Sequence, residues 1–194
     1  MKTNTTFILL WVLFLAKALS AQGLTHALQV LRIGTDPIID AASLSAIGAG
    51  GSGNINGPSC VRVPDWVAPE DRAHPDAQYY LYFANHAGHE IRMAWAADIE
   101  GPWTIFNMGS NDDPRVAGDG VLDLGPSNEI RFSGGARVFG HIASPDVEID
   151  EANQRFIMFF HGPANGSSPD AGAFDTGNQK TLVATSGTGL NFNL

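Results

Sequence analysis

Four residues whose side chains suit proton transfer stand at the ends of strand-like segments. Asp146 opens the run Pro145-Asp-Val-Glu-Ile-Asp150. His141 stands shortly before it. His161 ends the apolar run Phe156-Ile-Met-Phe-Phe160, and His86 ends Tyr79-Tyr-Leu-Tyr-Phe-Ala-Asn85. A carboxylate at a strand start can accept a proton or orient a second acid, and an imidazole titrates near neutrality. The competing local readings are a Pro-Asp turn in which Asp146 binds backbone, and strand-end histidines bonded to nearby carbonyls. A histidine metal site is disfavoured, because the spacings are long and no short His/Asp motif supports them. No metal or cofactor is expected. Trp66, in a loop beside Pro64 and Asp65, is a candidate platform for stacking on a ligand, and Asn56 is a candidate polar contact. Trp95 alternates with Ile91 and Met93 and reads as core.

The elements that must position these residues form two similar sets. The first is Cys60–Val63, Tyr79–Phe83, Glu90–Ala96 and Trp103–Phe106. Turn signals at Pro64-Asp65, Pro75-Asp76, Ala87-Gly88 and Gly101-Pro102 separate them. Four short strands in order are the content of one propeller blade. The second set is Val147–Asp150, Phe156–Phe160, Lys180–Ser186 and a closing segment at Leu190–Phe192. Aligning Tyr80 with Phe156 gives an offset of 76 residues. The expected fold is all-β, a β-propeller with about two blades present. Blade one covers about 54–106 and blade two about 141–194. Between them, residues 107–140 form a connection with one short strand near Gly120–Leu124. Two blades do not close a ring, which takes at least four. A fragment or truncated product with an open, aggregation-prone edge is therefore one expectation.

Residues 1–22 read as a secretory signal: Lys2, the apolar run Phe7–Ala16, then small residues for cleavage near Ser20. A membrane anchor is the alternative, disfavoured because Lys17 breaks the run. Residues 23–53 are a lead-in with one helical turn at Ala41–Ile47 and a glycine-rich linker, Gly48–Gly53. That linker lacks the lysine and the strand–turn–helix setting of a phosphate loop. The net charge is −9, and loss of Lys2 and Lys17 makes the remainder more negative still. Nucleic acid and anionic membrane surfaces are therefore poor partners. Cys60 is the single cysteine, so no intrachain disulfide can form. The expected location is secreted or periplasmic. Asn165-Gly-Ser167 is a glycosylation sequon for a eukaryotic secretory route.

Pro145-Asp146-Val147, followed by a turn and a Phe-rich strand, resembles the second blade of the five-bladed propeller glycoside hydrolases, family 43 and relatives such as families 32, 62, 68 and 117. Asn56-Gly-Pro-Ser59 sits where their first blade carries Asp-Pro-Ser. Asp98-Ile-Glu-Gly-Pro-Trp103 is similar to their acidic-Gly-Pro-Trp turn. The resemblance covers roughly residues 54–194. It implies a carbohydrate ligand or substrate and three acids near the axis: a base in blade one, a tuning aspartate in blade two and a general acid in blade three. Asp146 matches the tuning residue, and Asn56, Trp66, His86, His141 and His161 are the implied sugar contacts. The base position is Gly57, and a third-blade acid is not matched. One acid of three predicts no glycoside hydrolysis by this chain alone. The alternatives are a non-catalytic carbohydrate-binding or scaffolding propeller, or an inactive truncated product.

Overall fold

The computed structural model describes residues 34, 36–48, 54–131, 137–165 and 179–194. The signal-like residues 1–22, the segment up to residue 33, most of the glycine-rich linker and the sequon beyond Asn165 lie outside the described residues.

The described chain is all-β apart from one short helix and two 3-10 turns, and it forms two antiparallel sheets. Sheet one runs β1 (Asn56–Arg62), β2 (Tyr79–Ala84), β3 (Glu90–Ala96) and β4 (Thr104–Phe106) in chain order. A short β5 (Leu122–Asp123) also pairs with β3. This is the four-strand unit expected for residues 54–106. β2 is apolar at every position because both its faces are covered. Tyr80, Tyr82 and Ala84 face a core shared with sheet two. Leu81 and Phe83 face a second core with Ile105 and Met108, closed by Ile39 and Leu44. Leu44 belongs to α1 (Ala41–Ala46), where the sequence predicts a helical turn. Asp40 caps it, accepting the Ser43 N–H at 2.8 Å while the Asp40 N–H donates to Ser43 Oγ at 3.3 Å.

Sheet two centres on the long β9 (Arg155–Asn165), flanked by β8 (Ala143–Asp150) and β10 (Gln179–Ser186). The sequence pattern missed two strands, β6 (Glu129–Arg131) and β7 (Arg137–Phe139). They extend this sheet beside the far end of β9. The closing strand expected at Leu190–Phe192 does not form. That segment makes only a bridge, Thr185 with Asn193. Leu190 and Phe192 are instead drawn into the core, and the Phe192 N–H donates to the Val121 carbonyl at 3.0 Å. Burying two large apolar side chains contributes more than the few ladder bonds forgone.

The two sheets pack face to face through aromatic contacts. Phe156 lies 6.2 Å from Tyr80 and 5.5 Å from Trp66, ring centre to ring centre, and Tyr82 lies 5.8 Å from Phe192. The buried Tyr82 hydroxyl donates to the Gly189 carbonyl at 3.0 Å, so its polar end is satisfied. The long connection is pinned rather than loose. The Asn107 amide donates to the Gly118 and Gly120 carbonyls at 3.0 and 2.7 Å, and the Val121 N–H donates to Ile91 at 2.8 Å.

Candidate functional site

β1, the first strand of sheet one, and β8, which pairs with β9 in sheet two, lie side by side and are joined by side chains. Ser144 Oγ donates to Asn56 Oδ1 at 2.7 Å, and Ser59 Oγ accepts the Val147 N–H at 2.9 Å. Two backbone irregularities allow this approach. Gly57 has φ +55°, and a Cβ there would fall 2.5 Å from Ser144 Cα. Ser144 itself has φ +51°, within a bulge between Ala143 and Asp146. Bulges re-aim side chains, and here the extra residue resets which face Asp146 occupies. Asp146 pairs with Phe159, on the face of sheet two turned away from sheet one, while its neighbour Val147 enters the shared core. The Asp146 side chain is exposed to solvent.

The three histidines meet at this same end. β2 ends beside the start of β1, with Ala84 opposite Asn56, which brings His86 there. The Ile142 N–H donates to the Gly88 carbonyl at 3.1 Å, tying the segment before β8 to the β2–β3 turn. His161 stands opposite Ala143. The ring centres are 6.3 Å apart for His86 and His141, and 6.3 Å for His141 and His161. His141 is buried and lies with its Nε2 3.4 Å from the Gln179 side-chain nitrogen. Gly162 permits the crossing, since a Cβ there would sit 2.7 Å from the His141 carbonyl oxygen. Five of the six residues singled out from the sequence thus share one end of the β1–β8 pair: Asn56, His86, His141, Asp146 and His161.

Trp66 is at the opposite end. Its ring packs edge-on against Phe156, and its indole N–H donates to Glu151 Oε2 at 3.1 Å. Partly buried and packed against the inter-sheet core, it lies apart from the group above. Trp95 is half-buried and stacked on His74 at 4.5 Å. Asn56 is engaged by Ser144, so its carbonyl oxygen is a strut between strands. The signals that would have found Ser59 and Ser144 are weak, because a serine side chain bridging two strands leaves no spacing pattern.

Burial, then the neighbouring His141 and His86, holds the His161 imidazole below its ordinary value of 6.5. In the interval just under 6.5 the unfolded chain therefore binds more protons at this position than the folded chain, so folding stability falls with acidification there. His89 shifts the other way. Burial depresses it, but the 3.0 Å bond to Asp123 and the charges of Glu90, Asp123 and Asp119 more than offset that. Its stabilising contribution is complete below 6.5 and is lost as pH rises through the raised value. His161→Gln is expected to flatten the acid-side loss of stability, and His89→Gln to flatten the alkaline-side loss. Urea midpoints measured from pH 5 to pH 8 check both, and parallel profiles for wild type and His161→Gln would refute the assignment.

No family model matches the chain. It is 30% identical over 112 residues to an uncharacterised protein of Acanthamoeba polyphaga mimivirus, a match covering 56% of this chain and 28% of that protein. The chain thus spans little more than a quarter of that relative's length. Among solved structures it is similar to a thermostable family-43 glycoside hydrolase, with TM-score 0.41 and 15% identity, covering 72% of this chain and 31% of the other. It is also similar to an exo-β-1,3-galactanase from Phanerochaete chrysosporium, with TM-score 0.37 and 14% identity over 80% and 27% of the two chains.

Proposed function

We propose that this chain supplies two blades of an exported propeller of the glycoside-hydrolase type, and that the β1–β8 end is its saccharide-facing end. The observation that carries this reading is the cluster of His86, His141 and His161 at the end of the β1–β8 pair where β8, the strand that carries Asp146, begins. A polar, partly desolvated cluster at that place suits hydroxyl-rich ligands, because carboxylates accept and imidazoles donate or accept. The uneven cover of the two sheets supports further blades. The outer face of sheet one is partly covered by Ile39 and Leu44 of the α1 region, whereas sheet two presents Phe159 and Val183, cross-strand partners, at 39% and 47% exposure. Among the described residues no helix is long and apolar enough to cross a membrane. The net charge of −9 suits a neutral glycan better than nucleic acid.

Within this reading Asp146 is a positioning carboxylate. Water attack and leaving-group protonation fall to acids on other blades. The test is release of reducing sugar from a glycan panel by a chain extended with further blades, with and without Asp146→Asn. Loss of a positioned carboxylate is expected to lower kcat by roughly 10²–10³-fold with little change in KM. Equal turnover by both forms would remove Asp146 from the mechanism.

One observation favours a second reading, a carbohydrate-binding propeller without catalysis. Gly57 occupies the position of the base, and its backbone conformation and contact with Ser144 exclude a carboxylate side chain. Calorimetric binding of a glycan that the protein leaves intact would select this reading.

A further inference from the structure

A second polar cleft lies on the other face of sheet one, away from Asp146. The β2–β3 turn, β3 and the loop following Met108 enclose a cavity of about 350 Å³. Its chemistry comes from His89, Glu90, Arg92, Asp112 and Asp119. Glu90 and Arg92 alternate with Ile91 and Met93 along β3. Since Ile91 and Met93 face sheet two, the charged pair must face this cleft. Arg92 is 2% exposed. Its Nε and Nη2 donate to Glu90 Oε1 at 2.7 and 2.6 Å, while Nη1 has no hydrogen-bond partner among the described residues. A buried guanidinium nitrogen without an acceptor is costly and points to a group that completes it.

The surroundings restrict what that group can be. An anion would satisfy Nη1 but would face Glu90, Asp112 and Asp119. An ammonium ion would suit the carboxylates but leave Nη1 unmet. Among the described residues no three His, Cys, Asp or Glu side chains are placed to hold a metal ion. An alcohol hydroxyl does both, accepting from the guanidinium and donating to a carboxylate. Several hydroxyls on one small ring would use Arg92, Asp112 and Asp119 together. The cavity is large enough for one such ring.

We propose that this cleft is a binding site for a single neutral sugar ring, separate from the β1–β8 end. It stands on its own geometry and does not require that the β1–β8 end bind glycan or that the protein hydrolyse one.

The experiment is amide NMR of the full chain titrated with D-glucose, D-galactose, D-xylose and N-acetylglucosamine, with methylammonium and acetate as the cationic and anionic probes. At least one sugar is expected to shift the amides of Gly88, His89 and Asp119. Asp119→Asn and Asp112→Asn lie at exposed positions and leave the Glu90–Arg92 pair intact, so both should fold. Each is expected to weaken that binding roughly tenfold, the weight of a hydrogen bond to a charged group. Shifts confined to Ser144–Val147 and His161 would support the β1–β8 site and overturn this one. So would a response to methylammonium or acetate without any sugar response, unchanged affinity in both variants, or no response up to the solubility of every sugar.

Discussion

Replacing Glu90 with alanine is expected to cost about 3–5 kcal/mol of unfolding free energy, enough to unfold a domain of ordinary stability. Glu90 and Arg92 are both buried, and the pair is held by contacts of 2.6 and 2.7 Å. Glu90 also accepts the His89 N–H at 3.1 Å through its other oxygen. Removing the carboxylate leaves a buried guanidinium without the carboxylate it is hydrogen-bonded to. Burial is affordable only while the partner remains, so the loss exceeds what the pair contributes relative to an apolar one. The double variant Glu90→Leu/Arg92→Met should therefore recover most of the loss, since no buried charge is left. Urea unfolding of the wild type, Glu90→Leu, Arg92→Met and the double variant gives the coupling directly. Additive losses would show that the pair is hydrated and weak.

That ion pair also marks where sequence reading stopped. Glu90-Ile-Arg-Met-Ala-Trp-Ala96 alternates cleanly, and the alternation correctly put Ile91 and Met93 on one face. It gave no reason to bury the charged face. Burial comes from α1 and the loop after Met108, which arrive from distant sequence. The strands themselves were legible because β2 and β9 are rich in aromatic and branched residues. β6 and β7 were not, being three residues each and rich in Arg and Glu. The 76-residue repeat was legible only in part. Tyr80 and Phe156 both face the shared core, 6.2 Å apart. Blades related by rotation present opposite faces to their common interface. With a side-chain period of two, the structural equivalence is displaced from that alignment by an odd number of residues. The strand-end positions of the histidines were legible, but that their rings meet depends on how β8 and β9 sit beside the β2–β3 turn. The role of Trp66 was not legible, because loop placement in sequence says nothing of what a ring meets across the inter-sheet gap.

Placing an aspartate at position 57 is expected to destabilise the protein by about 3 kcal/mol or more and to confer no hydrolysis. Two costs combine. A side-chain-bearing residue at φ +55° is strained, at roughly 1 kcal/mol. The larger cost is steric, because the new Cβ would lie 2.5 Å from Ser144 Cα and 2.9 Å from Ser144 Cβ, both on the adjoining strand. Backbone cannot swing aside as a flexible side chain would, so β1 and β8 must separate. Separation breaks the Asn56–Ser144 and Ser59–Val147 bonds that hold the strand starts together. Gly125→Ala supplies the control, with φ +72° and no atom within 4 Å of the added carbon. It should show the conformational cost alone, about 1 kcal/mol. Thermal and urea unfolding of the two variants separate the terms, and equal losses would mean that Gly57 serves only its own backbone. The contrast bears on function as well as stability. If the clash dominates, the glycine is a requirement of the close pairing of β1 with β8, and no side chain can be added at position 57 without parting the two strands.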